Sequence, residues 1–139
     1  MFGEVLAIFL INYWKENIKT NFNLVELGPG KGTLLKDILR TSSINQKFLN
    51  SMHLTLIEKN KSLIDIQKNN MNHKNITWCE AFDISNKEIP SIIYSNEFFD
   101  CFPVQQFHKK EKWYEKYVNY NEVEQNFTLV PQQVEDEKI

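Results

Sequence analysis

Glycine and proline are scarce in this chain, with four of each among 139 residues, and there are only two cysteines and three histidines. Cys79 and Cys101 form no C-x-x-C pair, and His53, His73 and His108 are scattered. That excludes a disulfide framework and leaves no metal-ligand spacing, so the cysteines read as reduced thiols and no metal site is expected. Charge is also nearly balanced, at −2. The lysines are spread out and form no basic stripe interleaved with aromatics, so nucleic acid is not an expected partner. Long apolar runs are missing too. The most apolar stretch, Val5 to Ile11, is too short to span a bilayer, follows Glu4 and has no cationic leader. It reads as part of a buried helix over Phe2 to Asn17, with no membrane span and no secretion signal. A cytoplasmic setting is expected, which makes the N-x-T sequons at Asn75 and Asn126 chance occurrences. With 42% hydrophobic and 24% charged residues and no internal repeat, the composition predicts one core, spanning 1–130, and a polar tail over 131–139.

The few glycines are not spread evenly. Three of the four fall in the run V-E-L-G-P-G-K-G-T, from Val25 to Thr33. Asn23 to Leu27 reads as a short apolar strand, and Thr33 to Arg40 as a helix with Leu34, Leu35, Ile38 and Leu39 on one face. Between them, Gly28, Pro29, Gly30, Lys31 and Gly32 make a turn. Glycine admits backbone conformations closed to other residues and lets a ligand approach the main chain, while the following helix offers unpaired N–H groups at its start. The spacing selects among ligands. A dinucleotide fingerprint needs G-x-G-x-x-G, and here the third glycine comes one residue early. A phosphate-binding loop needs G-x-x-x-x-G-K-[ST], and the sixth position from Gly28 is Thr33. The pattern E-x-G-x-G-x-G, with Glu26 at its head, resembles motif I of class I S-adenosylmethionine methyltransferases. A carboxylate beside the turn suits a ligand that carries a sulfonium and an ammonium group better than it suits pyrophosphate.

Met52 to Ile57 reads as a second parallel strand ending in Glu58, at the edge where open α/β sheets bind ligands. An acid there can accept hydrogen bonds from both ribose hydroxyls. Glu58 follows Gly32 by 26 residues, somewhat more than the usual spacing of about 20, which predicts a long loop over Thr41 to Ser51. A helix from Leu63 to about Met71, a third strand over Ile76 to Cys79 and a fourth over Pro90 to Tyr94 complete the alternation. After the fourth strand comes S-N-E-F-F-D-C-F-P-V, from Ser95 to Val104. Asn96, Glu97 and Asp100 are the candidate catalytic residues there, on the argument that polar groups beside apolar surface need partners. Phe98, Phe99 and Phe102 read as core-capping aromatics. Beyond Phe107 the chain turns β-prone, with Lys112 to Tyr120 and Phe127 to Val130 as strands and a frayed end from Gln132.

Taken together, V-E-L-G-P-G-K-G-T-L-L-K-D-I-L-R, H-L-T-L-I-E-K-N, N-E-F-F-D-C-F-P-V-Q-Q-F and K-W-Y-E-K-Y-V resemble the MidA-type methyltransferases, the mitochondrial complex I assembly methyltransferases and their bacterial relatives. The opening F-G-E-V-L-A-I-F-L resembles the stretch that precedes motif I in that family. The resemblance covers Phe2 to about Val118. It implies a class I α/β fold with a Rossmann-like sheet and helices on both faces. It also implies S-adenosyl-L-methionine as cofactor, held by Glu26, Gly28, Pro29, Gly30, Gly32 and Glu58. For mitochondrial members it implies methylation of an arginine on a complex I subunit, so the implied partner is a protein substrate. A guanidinium acceptor has a pKa of about 12.5–13.8 and arrives protonated, and carboxylates such as Glu97 or Asp100 can orient it by bidentate hydrogen bonds.

Members of that family are longer, so the chain is expected to be a fragment whose cofactor side is largely present and whose acceptor side is incomplete. Two alternatives stand beside the enzyme reading. One is a catalytically inactive cofactor- or partner-binding piece that assembles with neighbouring fragments of the same enzyme. The other is a decaying copy that folds poorly because its sheet edge is open.

Overall fold

Phe22–Leu27 form strand β1, in which five of six side chains are apolar or carry their polar end into the protein. In this computed structural model, which describes residues 1–71, 73–81 and 88–135, β1 pairs on both edges. Met52–Ile57 (β2) lies parallel to it on one side and Ser91–Ser95 (β4) on the other, while Ile76–Cys79 (β3) continues the sheet beyond β2. The strand order is β3-β2-β1-β4, all parallel. The chain therefore winds outward from β1 to β3 and then returns to the far side of β1. The point of reversal lies between β1 and β4, where open α/β sheets form their ligand crevice.

The helices follow from the same pattern. Phe2–Tyr13 (α1) buries Gly3, Ala7, Leu10 and Ile11, a spacing of three to four residues. It runs on into a π-helical turn, Trp14–Ile18, and stops at Lys19, whose backbone is left-handed at φ 65°. Thr33–Ser42 (α2) buries Leu35 and Ile38. Lys61–Asn70 (α4) links β2 to β3. The core joins Ala7, Leu10, Ile11 and Trp14 to Leu35, Ile38, Phe48 and the strand residues Phe22, Leu24, Met52, Leu54 and Leu56. On the opposite face, His53, Thr77 and Ile93 are exposed.

The stretch expected as a long loop, Thr41 to Ser51, is mostly helical. Helix α2 runs on to Ser42, and Gln46–Ser51 form a further short helix, α3. Two local causes account for it. The Asn45 side chain accepts the Phe48 N–H at 3.1 Å, which caps the new helix. Phe48 itself is fully buried, edge-on to Trp14 at 5.8 Å and tilted against Phe22 at 5.3 Å.

The chain divides into two compact units, Met1–Phe98 and Phe99–Ile139, and the core described above lies in the first. The second opens with a one-turn 3-10 helix, Phe99–Cys101, and builds an antiparallel sheet of Phe107–Lys109 (β5), Trp113–Asn121 (β6) and Asn126–Gln133 (β7), in that order. Pro131 is tolerated in β7 because that strand lies at the sheet edge. The strand carries the chain through Gln133, and the Val134 N–H still bonds the Trp113 carbonyl at 3.0 Å, so the polar tail starts later than residue 131. Phe99 and Phe102 do not cap a core, since they are 67% and 52% exposed and pair with each other at 6.3 Å. Cys79 and Cys101 are both free thiols.

Truncating a filled aromatic site of this kind costs about 3–5 kcal/mol. Phe48→Ala is expected to lower the stability of the first unit by that amount in urea denaturation. A loss below about 1 kcal/mol would mean that Phe48 does not join α1, α3 and β1.

Candidate cofactor site

Each of the four parallel strands ends at the same edge of the sheet, and three of them, β1, β2 and β4, hand over there to a residue the sequence had marked. Leu27 leads into Gly28, Ile57 into Glu58, Cys79 into Glu80, and Ser95 into Asn96. The turn after β1 is tightly wound. Gly28, Gly30 and Gly32 all have left-handed backbones, at φ 64°, 56° and 76°. The Gly28 N–H donates to the Ile57 carbonyl at 3.0 Å, and the Gly32 N–H to the Pro29 carbonyl at 2.8 Å. Gly32 caps α2 with no side-chain bond, so among the described residues the N-cap side-chain acceptor that usually serves the first amides is missing.

The three glycines are needed for different reasons. A Cβ on Gly28 would lie 2.4 Å from the Phe98 ring, and one on Gly32 would lie 2.1 Å from the Met71 methyl. Those two positions are closed by the protein's own side chains. A Cβ on Gly30 would meet nothing within 4 Å. Around Gly30 the main chain is bare, which is the condition for a ligand to reach it. Phe98, read from sequence as a core cap, instead covers Gly28.

Glu26 is 3% exposed, in register with Leu56 on β2 and Tyr94 on β4. Burial pushes its carboxyl up to about 7, against a smaller lowering by the Tyr94 hydroxyl. The two groups are close enough for the hydroxyl to act on the carboxyl, but among the described residues neither Glu26 Oε2 nor the Tyr94 hydroxyl makes a hydrogen bond of good geometry. Burial, followed by the neighbouring Glu26 charge, raises the Tyr94 hydroxyl in turn. A buried carboxylate oxygen with no donor, next to an open glycine turn, fits a ligand that brings cationic or N–H groups. Glu58 is half-buried at the end of β2. Its Oε1 accepts the N–H groups of Lys59 at 3.0 Å and Asn60 at 2.9 Å, which orients the carboxylate, and among the described residues Oε2 has no hydrogen bond.

The acceptor-side candidates are placed differently. Asn96 and Glu97 follow β4 directly, and Glu97 has a left-handed backbone at φ 54°. Both are exposed, as is Asp100 in the 3-10 turn that opens the second unit. Exposed in this way, the three are accessible to water, which can serve the polar groups that the sequence places beside apolar surface. Sequence reading missed Gln67, which is fully buried on α4 and bonds the turn itself: its Nε2 donates to the Gly30 carbonyl at 2.7 Å. A signal was present, because Gln67 stands between Leu63, Ile64 and Met71 on the apolar stripe of that helix.

The sequence matches, over residues 5–139, the family described as "Putative S-adenosyl-L-methionine-dependent methyltransferase". The chain belongs to that family. S-adenosyl-L-methionine is the family's cofactor. Among curated relatives, the chain is 36% identical over 134 residues to the bovine "Protein arginine methyltransferase NDUFAF7, mitochondrial", covering 78% of this chain and 30% of the relative. It is 32% identical over 148 residues to the rat protein of the same name, covering 86% and 33%. The Caenorhabditis elegans homologue is 32% identical over 145 residues, covering 86% and 32%. The chain thus spans about a third of the length of these relatives. Two crystal structures from Burkholderia thailandensis share the fold, each with a TM-score of 0.69 over 99% of this chain. The one with bound S-adenosyl-homocysteine is 16% identical and is covered over 35% of its length, and the native one is 15% identical and covered over 36%. Among the described residues, no helix is long and apolar enough to cross a membrane.

Glu26 makes folding depend on pH. Its folded value of about 7 lies above the ordinary 4.5, so between those values the folded state keeps a proton that the unfolded chain has released. Stability should fall as pH rises through this window and level off above it, by at most roughly 3 kcal/mol. Glu26→Gln should flatten the slope in urea titrations run from pH 4.5 to 8. An unchanged slope would show that another group titrates there.

Proposed function

We propose that this chain binds S-adenosyl-L-methionine at the β1–β4 switch point and forms the cofactor side of a protein-arginine methyltransferase that acts on a respiratory complex I subunit. The bare main chain at Gly30 carries the reading, because it is the one turn glycine whose missing side chain no protein atom explains. The chemistry of the neighbours supports it. Gly30 presents bare backbone to the ligand, Gly28, Pro29 and Gly32 shape the turn around it, Glu26 supplies a carboxylate oxygen unpaired among the described residues, and Glu58 supplies its Oε2 for the ribose hydroxyls. When bound, the cofactor supplies a methyl group on a positively charged sulfur, ready for in-line attack by a nucleophile.

What the protein adds is placement. Holding two reactants in near-attack geometry can supply about 7–11 kcal/mol of the barrier. At the end of β4, Asn96 and Glu97 lie on the same sheet edge as the turn. Glu97 would orient a protonated guanidinium by bidentate hydrogen bonds and draw its charge toward the nitrogens it contacts, leaving the remaining nitrogen to take the methyl group as the sulfonium leaves as a neutral thioether, with the displaced proton passing to the carboxylate or to water. Asp100 is the second carboxylate offered for that role. Arginine as the acceptor rests on the relatives named protein arginine methyltransferase, and the complex I subunit rests on the resemblance to the assembly methyltransferases.

Since the chain spans about a third of those relatives, the second reading is a cofactor-binding piece whose turnover needs the remaining family segments. One pair of measurements separates the two readings. Calorimetric titration with S-adenosyl-L-methionine and S-adenosyl-homocysteine should show binding to the parent. Gly30→Val should abolish it with the secondary structure retained, and Glu58→Ala should weaken it by roughly 10- to 150-fold. Parent-like affinity in Gly30→Val would remove the turn as the site. Radiolabelled methyl transfer to complex I subunits is expected only after a polypeptide carrying the family's remaining segments is added. Turnover by the chain alone would favour the complete enzyme, and with turnover established, its loss in Glu97→Gln or Asp100→Asn would identify the orienting carboxylate.

A further inference from the structure

We infer that Gln67 is the positioning residue of the cofactor turn, and that it works by tying the Gly30 carbonyl to the indole of Trp78. This inference rests on the cofactor reading above but names a residue outside the glycine motif.

A glutamine in the middle of an apolar helical stripe is unfavourable unless both ends of its amide are used, because a buried unpaired polar group costs about 1–3 kcal/mol. Here both ends are used. Nε2 donates to the Gly30 carbonyl at 2.7 Å, and Oε1 accepts the Trp78 Nε1–H at 2.9 Å. The side chain is fully buried, so water cannot substitute for either bond. Trp78 is held in its turn. It lies on β3 opposite Leu56 of β2, and the Lys68 ammonium sits 5.5 Å over its ring. At the C-cap of the same helix, just past its last turn, the Met71 methyl fills the space a Gly32 side chain would need. Helix α4 therefore grips the turn at two points, a hydrogen bond at Gly30 and an apolar contact at Gly32.

The consequence concerns shape. A left-handed glycine can move readily, and the Gly30 peptide has no side chain of its own to hold it. With its carbonyl fixed by Gln67, the peptide plane on the ligand side is fixed too. A turn held in its binding geometry avoids the ordering cost on association. The Gly30 main chain, the Glu58 strand end and Trp78 are thereby held across three neighbouring strands, with Gln67 bridging the first and third.

The test uses the full chain and three variants. Gln67→Met keeps the volume and removes both bonds, Gln67→Glu keeps only the acceptor for Trp78, and Trp78→Phe keeps a ring and removes only the indole donor. Two readouts are needed, the S-adenosyl-homocysteine dissociation constant of the folded protein and hydrogen–deuterium exchange over Gly28 to Thr33 without ligand. Gln67→Met and Gln67→Glu are expected to bind about tenfold more weakly and to exchange faster across the turn, with a smaller change of the same sign in Trp78→Phe. A purely structural Gln67 would lower the melting temperature but leave both readouts at the parent's values, and that result would overturn the inference. If the parent itself fails to bind, the cofactor reading falls. The exchange data still decide the role of Gln67, since unchanged exchange refutes it and faster exchange in both Gln67 variants supports it.

Discussion

Strand β1 is hydrogen-bonded on both edges, and the chain has to leave it through a gap between side chains that are already in place. Phe98 stands against Gly28 and the Met71 methyl against Gly32, so a side chain at either position would have to displace its neighbour. The turn takes left-handed backbone at three alternate residues, which by itself favours glycine at each. That constraint makes the rest of the site possible. It brings the main chain to the carboxyl edge of the sheet with open space at Gly30, and it starts α2 from a glycine that offers no side-chain cap. Most of the protein's small stock of glycine is committed to this one crossing.

Electrostatic cost is concentrated in the same place. A carboxyl at Glu26 with one buried, unpaired oxygen works against folding, and its rise to about 7 is the sign of that cost. Proteins keep such groups mainly where a ligand repairs them. Glu58 has a milder arrangement: it is half-buried and its own loop pins one oxygen. The two acids thus differ in kind. Glu26 is buried at a cost to the fold, while Glu58 is pinned by its own loop at little cost. Nothing comparable appears at Asn96, Glu97 and Asp100, which are solvent-exposed.

Much of this was legible from the chain. The bounds of β2 and β3 match the sequence reading, and β1, β4, α2 and α4 differ by one or two residues at their ends. The reason is local. A strand end, a glycine turn and an apolar helical stripe are written in consecutive residues, and the spacing E-x-G-x-G-x-G carries the turn geometry with it. The short helix α3 was missed although its cap, Asn45, is equally local, because six residues are too few for helical periodicity to stand out from a loop.

The amino-acid sequence by itself determined the family, the order of the elements, the turn and the two acidic residues beside it, because each depends on neighbours a few positions away. Only the tertiary structure decided which glycine faces open space, which carboxylate is buried without a partner, and where the phenylalanines after β4 go. It also decided that Gln67 holds the turn. That hydrogen bond joins residues 37 positions apart, and the next joins Gln67 to Trp78 across 11. Contacts of this kind exist only after β1, β2 and β3 have aligned in register and packed α4 against them. No periodicity or motif in the linear chain encodes them, since their geometry comes from the packing of whole elements.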